Sequence, residues 1–365
     1  MRDPGNFNIN KDFSMLKVNN ISIKLRNFEL RNISFEVQRG EYFIILGESG
    51  VGKTVLLEIL AGLLDSKTGS IILDDNDISS WPIQKRALGL VYQDQALFPH
   101  MSVVKNIDYA LRCKKMQSAV IAEKVAKIAE RTGVKHLLNR NPENLSLGEA
   151  QRVALARTLV SEPKILLLDE PLASLDIQAQ TKMRSLLRKI NQTGQTIIHV
   201  THNYEEAIAL AAKIAILEQS SISQVDVPDE IFRHPKSAFV ANFTGVKNFY
   251  RGELSKENKN LGIFKTNNLN FYVATNAKNG KGNLILKSEY ITISKNCPET
   301  SAKNNFPGRI IDIEPVKLGI EVTVDIGVPI SALITKASLE TMGLKLEDKI
   351  WTNFKATSTK YIEVE

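Results

Sequence analysis

The chain of 365 residues has only two cysteines, Cys113 and Cys297. They are too few and too far apart for a disulfide framework, and neither sits at metal-ligand spacing, so a reducing compartment fits. No apolar run approaches the roughly 20 residues that a bilayer-spanning helix needs. The opening MRDPGNFNINKDFS has no apolar stretch of the kind a secretory signal requires. The expectation is a soluble cytoplasmic chain that reaches a membrane only through a partner. The net charge of +7 is spread along the chain: the last 119 residues carry 17 basic and 13 acidic side chains. With no grossly basic domain, a nucleic-acid partner is not expected. The remaining composition, 43% hydrophobic and 24% charged, is globular. A chain of this size buries a sizeable core without staples. Disordered, collagen-like and disulfide-stapled classes are thereby excluded.

Residues 1–14 are mostly polar and read as a disordered N-terminal extension, with Met15 as an alternative start. From there to about Gly245 strands and helices alternate. YFIIL (42–46), KILLLD (164–169) and TIIHV (196–200) are short continuous apolar runs of the central-strand type. TVLLEILAGLL (54–64) and TKMRSLLRKIN (181–191) read as helices, the second stopped by Gly194. This alternation implies a parallel sheet covered by helices over 15–245. After Gly245 the texture becomes LGIFKT (261–266), LNFYVA (269–274), LILKS (284–288), GRIID (308–312), IEVTVD (320–325) and KIWTNF (349–354), separated by Asn, Gly and Pro turns. That pattern predicts a small all-β domain over 246–365. RGEL…LKSEYITI (251–293) echoes GRII…FKATSTKYIEV (308–364), so the domain is either two related small barrels or one composite.

GESGVGKT (47–54) fits G-x-x-x-x-G-K-[ST] after a strand and before a helix. Gly47, Gly50 and Gly52, with Glu48, Ser49 and Val51 between them, let successive backbone N–H groups turn inward as a nest for phosphate oxygens. The helix N-terminus adds partial positive charge. Lys53 is placed to reach the β- and γ-phosphates of a nucleotide, and the Thr54 hydroxyl to ligate Mg²⁺. ILLLDE (165–170) ends an apolar strand in two carboxylates. Asp169 suits the Mg²⁺ shell, and Glu170 is placed to polarise an attacking water.

LSLGEAQRVALARTL (145–159) resembles the signature of ATP-binding-cassette (ABC) ATPases, and other family motifs lie around it in order. VYQDQALFPH (91–100) resembles the Q-loop, with Gln93. PLASLD (171–176) resembles the D-loop, with Asp176. HVTHNYEEA (199–207) resembles the switch segment, with His202. The resemblance covers 15–245 and implies an α/β P-loop NTPase fold of the ABC nucleotide-binding type. It implies ATP and Mg²⁺ as cofactors and a head-to-tail homodimer. Each ATP would lie between the phosphate loop of one copy and Ser146 and Gly148 of the other. His202 would contact the γ-phosphate, and Gln93 would join Thr54 and Asp169 around Mg²⁺ and relay nucleotide state to two membrane-embedded permease subunits. The stretch Phe98–Ile107 would form the docking groove. Leu147 replaces a signature glycine, Glu149 a glutamine and Asn203 an aspartate. The family's adenine-stacking aromatic aligns with Leu25, so either Phe28 substitutes or adenine packs on aliphatic surface.

Residues 301–364 resemble the Mop domain, a small OB-like β-barrel that binds molybdate or tungstate. SAKN (301–304), PGR (307–309), ALITKAS (332–338) and FKATS (354–358) carry the likeness. Ser301, Lys303, Asn304, Lys355, Thr357 and Ser358 offer the hydroxyls, amides and cations a tetrahedral dianion wants. Lys278, Lys281, Lys287, Lys295, Lys303 and Arg309 against Glu289 and Glu299 would focus it. The resemblance implies an importer ATPase on the cytoplasmic face of the membrane, supplied by an external oxyanion-binding protein and regulated by its tail. The alternative is an importer of another cargo (sulfate, sugar or ferric iron) whose tail is only a dimerisation scaffold. Cys113 and Cys297 read as buried or incidental thiols, and His136, His199 and His234 have no partner at metal spacing.

Overall fold

The computed structural model describes residues 14–25, 28–237, 240–241, 247–258, 260–267, 269–316 and 318–363. The expected extension lies outside them up to residue 13, and Ser14 already opens a strand. The chain divides between Asp229 and Glu230 into two compact units. This is earlier than the change of texture at Gly245, for a packing reason. Ala241 is buried with Ile285 beside Phe249 and Ile362, and His234 lies 2.9 Å from Lys360, so this stretch belongs with the second unit.

The first unit has two sheets. Strands β1 (Ser14–Leu25), β2 (Phe28–Gln38), β4 (Thr68–Leu73) and β5 (Asn76–Asp77) form an antiparallel sheet in the order β2-β1-β4-β5. Strands β3 (Tyr42–Leu46), β6 (Leu88–Val91), β7 (Ile165–Asp169), β8 (Thr196–Thr201), β9 (Lys213–Glu218) and β10 (Ser221–Asp226) form the larger sheet, in the order β10-β9-β3-β8-β7-β6. It is parallel apart from the β9–β10 hairpin. β3 and β7 are buried at every position, as strands covered on both faces must be. One apolar core joins the sheets, with Phe35 stacked on Phe43 at 5.1 Å between ring centres.

The helix after the phosphate loop, α1, spans Lys53–Ala61 and stops three residues short of the expected end. Gly62 takes a left-handed φ of 83°, and its N–H returns to the Glu58 and Ile59 carbonyls. The buried Arg86 guanidinium covers that end, donating to the carbonyls of Ile59 and Leu60 and to those of Ser79 and Trp81. The helix expected at 181–191 runs Ile177–Gln192, four residues earlier, because the Asp176 carboxylate caps it by accepting the Ala179 N–H at 2.8 Å. Helices Val103–Cys113, Ser118–Arg131 and Leu147–Leu159 pack on one another.

The second unit contains β11 (Asn248–Lys256), β12 (Leu261–Thr266), β13 (Leu269–Ala274), β14 (Gly280–Leu286) and β15 (Thr292–Ser294). Then follow β16 (Asn304–Val316), β17 (Gly319–Asp325), β18 (Pro329–Ile334), β19 (Lys349–Phe354) and β20 (Thr359–Glu363). The sheet orders are β13-β12-β11-β14-β20 and β15-β19-β16-β17-β18. Each repeat therefore lends its last short strand to the other: β20 pairs with β14, and β15 with β19. A single core, including Phe264, Phe271 and Phe354, fills the space between the sheets. Of the two readings of the internal echo, one composite barrel-like unit is what forms. Two buried asparagines repeat the same clamp. Asn248 holds the backbone N–H and C=O of Ser331 on β18, and Asn304 holds those of Tyr272 on β13, all at 2.7–2.9 Å.

Candidate active site

The ends of β3, β7 and β8 deliver the chemistry-bearing residues to one cavity of about 600 Å³. Its lining includes Ser49, Gly50, Gly52, Lys53, Thr54, Gln93, Glu170 and His202, so the expected phosphate-loop and catalytic residues meet in one chain. Gly50 and Gly52 have φ of 82° and 108°, a backbone that side chains with a Cβ rarely adopt. A Cβ on Gly47 would lie 2.5 Å from the Leu217 carbonyl oxygen, so close strand packing also demands glycine there. Glu48 and Val51 complete the loop, closed by Val51 N–H to Glu48 C=O at 3.4 Å.

Lys53 is buried with its ammonium on the loop's own carbonyls, Gly47 at 2.9 Å and Glu48 at 2.8 Å, and 3.5 Å from Glu170. Burial pushes its pKa down, and Glu170 opposes the shift. The cation is thus positioned before any phosphate arrives. The Thr54 hydroxyl donates to Asp169 at 2.9 Å. Burial raises the Asp169 pKa, while the Thr54 bond opposes it. Hydroxyl and carboxylate side by side are oxygen ligands of the kind that would hold Mg²⁺, which would supply positive charge beside a nucleotide phosphate. No cluster of three or more His, Cys, Asp or Glu able to hold a metal occurs among the described residues.

Glu170 sits at φ 42°, a strained backbone for a side-chain-bearing residue, fixed by its N–H on the Val200 carbonyl at 3.0 Å. Its carboxylate is 2.8 Å from His202 Nδ1. The half-exposed His202 and the nearly buried Glu170 are thus in hydrogen-bond contact beside Lys53.

Ser146, Gly148 and Asp176 lie off this cavity lining. Ser146 caps the helix Leu147–Leu159 in a reciprocal box with Glu149: each side chain accepts the other residue's backbone N–H. Glu149 is thereby tied down, and the Ser146 N–H holds its carboxyl below the usual range. Leu147 is 54% exposed at the first turn. A Cβ on Gly148 would touch Ala179 at 3.4 Å, which sets the signature next to the helix capped by Asp176.

Phe28, at the start of β2, lines the cavity, whereas Leu25 is 39% exposed and does not. Three linkages escaped the sequence reading. The Thr201 hydroxyl donates to Glu206, the two residues lying on either side of His202 in the chain. Arg157, on the signature helix, donates to the carbonyls of Gln95 at 3.2 Å and Ala96 at 2.8 Å and lies over the Phe98 ring. It joins that helix to the Gln93 loop and to a second cavity lined by Leu90, Ala96, Phe98 and Tyr109. His199 is fully buried against Tyr42. The only signal for any of these was adjacency to a motif.

In the second unit the six candidate oxyanion residues are not equivalent. Ser301, Lys303, Lys355 and Thr357 are exposed and Ser358 half-buried. The Asn304 side chain is buried and engages Tyr272 with both its amide oxygen and an amide N–H. Lys303 lies 5.1 Å from the centre of the Tyr272 ring. The expected cationic focus is dispersed: Lys287 pairs with Glu289 and Arg309 with Glu347. Lys281 lines one cavity, and Lys295 and Arg309 another. Cys113 and Cys297 are both exposed, not buried. No helix among the described residues is long and apolar enough to cross a membrane.

A phosphate loop, a strand-end Asp-Glu pair and a switch histidine on a parallel sheet define a P-loop nucleotide hydrolase. Comparison narrows the class. Residues 30–173 match the ABC transporter family model and residues 300–360 the TOBE domain model. The molybdate/tungstate import ATP-binding protein WtpC of Pyrococcus horikoshii is 41% identical over 346 residues, covering 94% of this chain and 99% of that protein. Its counterpart in Pyrococcus abyssi is 39% identical, covering 95% and 99%. The spermidine/putrescine import ATP-binding protein PotA of Borrelia garinii is 43% identical but covers only 63% and 67%. Among solved structures, cbiO1 from Clostridium perfringens, part of the ABC transporter complex cbiONQ, matches with a TM-score of 0.57 at 31% identity, over 60% of this chain and 91% of that one. The chain belongs to the ABC transporter ATP-binding family: it is an ATP-binding, ATP-hydrolysing subunit with a C-terminal TOBE domain.

Proposed function

We propose that this chain powers the import of molybdate or tungstate, and that its C-terminal unit binds the same oxyanion and slows the motor when the anion is plentiful. The observation that carries the cargo is coverage. The molybdate/tungstate relatives match both units, whereas PotA matches about two thirds of the chain. The chemistry rests on the site. Lys53 and the Gly50–Gly52 loop hold the phosphates, and Thr54 and Asp169, with Gln93 nearby, hold Mg²⁺, which supplies charge neutralisation at the leaving phosphate. Glu170, oriented by His202, takes the proton of the attacking water. Two copies meet head to tail, Ser146 and Gly148 of one closing the nucleotide of the other. The cavity beside Phe98 and Tyr109 receives one of two permease subunits at the cytoplasmic face, and an external binding protein delivers the cargo.

The regulatory reading is supported by an asymmetry between repeats. Lys247 and Lys303 each precede a clamping asparagine. Lys247 is neutralised at 2.7 Å by the buried Glu321 and at 3.2 Å by Glu314, whereas no ion pair involves Lys303 among the described residues. The test is calorimetric titration of the full chain with molybdate, tungstate and sulfate, followed by ATP turnover at saturating anion. Binding of the first two with reduced turnover is expected. Binding without inhibition removes the feedback, and no binding removes the oxyanion role of the tail.

A further inference from the structure

We propose that Thr201 and Glu206 are positioning residues for hydrolysis, acting through His202 to hold its imidazole on Glu170; this rests on the reading of His202 as the orienting partner of the base. The geometry is a closed ring of hydrogen bonds around the switch residue. Thr201, the last residue of β8 and only 2% exposed, donates its hydroxyl to Glu206 Oε2 at 2.9 Å. The Thr201 hydroxyl oxygen itself accepts the Asn203 N–H at 3.0 Å. The Asn203 side chain in turn accepts the Glu206 N–H at 3.2 Å and so caps the helix Tyr204–Leu210. His202 is the residue enclosed by this ring, with the backbone pinned on both sides of it.

The ring is anchored to the rest of the site by backbone bonds. The Thr201 carbonyl accepts the N–H of Gly47, the first glycine of the phosphate loop, at 3.3 Å, and the neighbouring Val200 carbonyl accepts the Glu170 N–H at 3.0 Å. Thr201 thus stands where the phosphate loop, the base and the switch meet. Behind it the side chains are buried. Glu206 is 4% exposed, and its Oε2 is 3.6 Å from Nε2 of the fully buried His199, whose Nδ1 is 3.1 Å from the Tyr42 hydroxyl. A buried carboxylate with a fixed donor is a rigid support, as a catalytic side chain at a strand end requires. His202 itself is half exposed, with the Glu170 carboxylate 2.8 Å from its Nδ1. Without the ring, its rotamer would be set by that one contact.

The experiment is steady-state ATP hydrolysis by the full chain with Mg²⁺, for T201V, T201S, E206Q, H202A and the T201V/H202A double variant. T201V keeps the shape and removes the hydroxyl. It is expected to lower kcat about tenfold with KM for ATP within about twofold, the signature of a lost transition-state arrangement and not of lost binding. T201S should restore most of the rate. The decisive readout is coupling: the double variant should be no slower than H202A alone, because Thr201 acts only through His202. Additive losses, a T201S as slow as T201V, or an unchanged kcat in T201V would overturn the proposal. Full turnover by H202A would instead overturn the role of His202. If T201V does not fold, E206Q replaces it in the same cycle with the same expected coupling.

Discussion

His199 offers a direct measure of how dry the region behind the switch is. It is fully buried, and burial drives its pKa from 6.5 to about 3. The unfolded chain takes up a proton on this residue near pH 6.5, while the folded chain does so only near pH 3. Between those values the unfolded state binds more protons, so stability falls as pH falls, by about 1.4 kcal/mol per pH unit. Going from about pH 7.5 to pH 5 covers roughly 1.5 units of that window and removes about 2 kcal/mol. Glu206 opposes the effect, since burial raises its pKa and the folded state protonates it early. The quantity to measure is therefore the difference between the native chain and H199F, in which Glu206 and Tyr42 remain. In a Trp351→Phe background, Trp81 alone reports on the first unit. Urea unfolding followed by its fluorescence should show the native chain losing about 2 kcal/mol more than H199F over that pH interval. H199Q, polar and of similar size, should behave like H199F. Equal pH dependence in all three chains would refute the buried neutral imidazole.

The other expectations are brief. E170Q should bind ATP but turn it over at least about 100-fold more slowly; full turnover would remove Glu170 as base. K303A should weaken oxyanion binding while sparing ATP hydrolysis, and K247A should leave oxyanion binding intact; calorimetry with tungstate distinguishes the two, and the reverse pattern would exchange the roles of the repeats. N248A and N304A each strand a buried N–H and C=O, and each should cost about 2–3 kcal/mol on thermal unfolding of the second unit. Losses below about 0.5 kcal/mol would show that the clamps are replaced by water.

The nucleotide site was legible because its chemistry is local. Gly47 to Thr54, Asp169 with Glu170, and His202 each lie in one short run whose strand context is unmistakable, and the fold only had to bring three strand ends together. The strands YFIIL, LGIFKT, LNFYVA and KIWTNF were readable to the residue for a related reason: burial pattern and turn residues agree. The antiparallel sheet of β1, β2, β4 and β5 was not readable. Its central pairing, β1 with β4, connects residues about 50 positions apart, such as Leu16 with Leu73, and both pairings of β1 carry register shifts that blur the alternation. Helix ends were missed where one residue decides them, Gly62 by its left-handed φ and Asp176 by its side chain. Thr201, Glu206 and Arg157 went unnoticed because each serves a neighbour: nothing in a lone threonine, glutamate or arginine announces the backbone it will hold.

The composite second unit shows why the internal echo was ambiguous. Two repeats that each kept their last strand would present two small cores and two free edges. Exchanging β15 and β20 instead joins the cores into one, in which Phe271 and Phe354 from different repeats lie 5.7 Å apart between ring centres. The cost is that each repeat needs the other to fold, so the clamps at Asn248 and Asn304 are under the same structural demand and look alike. The adjacent lysines are free of that demand and differ. Lys247 is spent on the carboxylates of Glu314 and Glu321, which tie β11 to β16 and β17, while Lys303 faces an aromatic ring. Architecture constrains the asparagines and leaves the lysines to function, so an anion should engage the second repeat alone, one per chain; two per chain, or loss of binding in K247A, would break the argument.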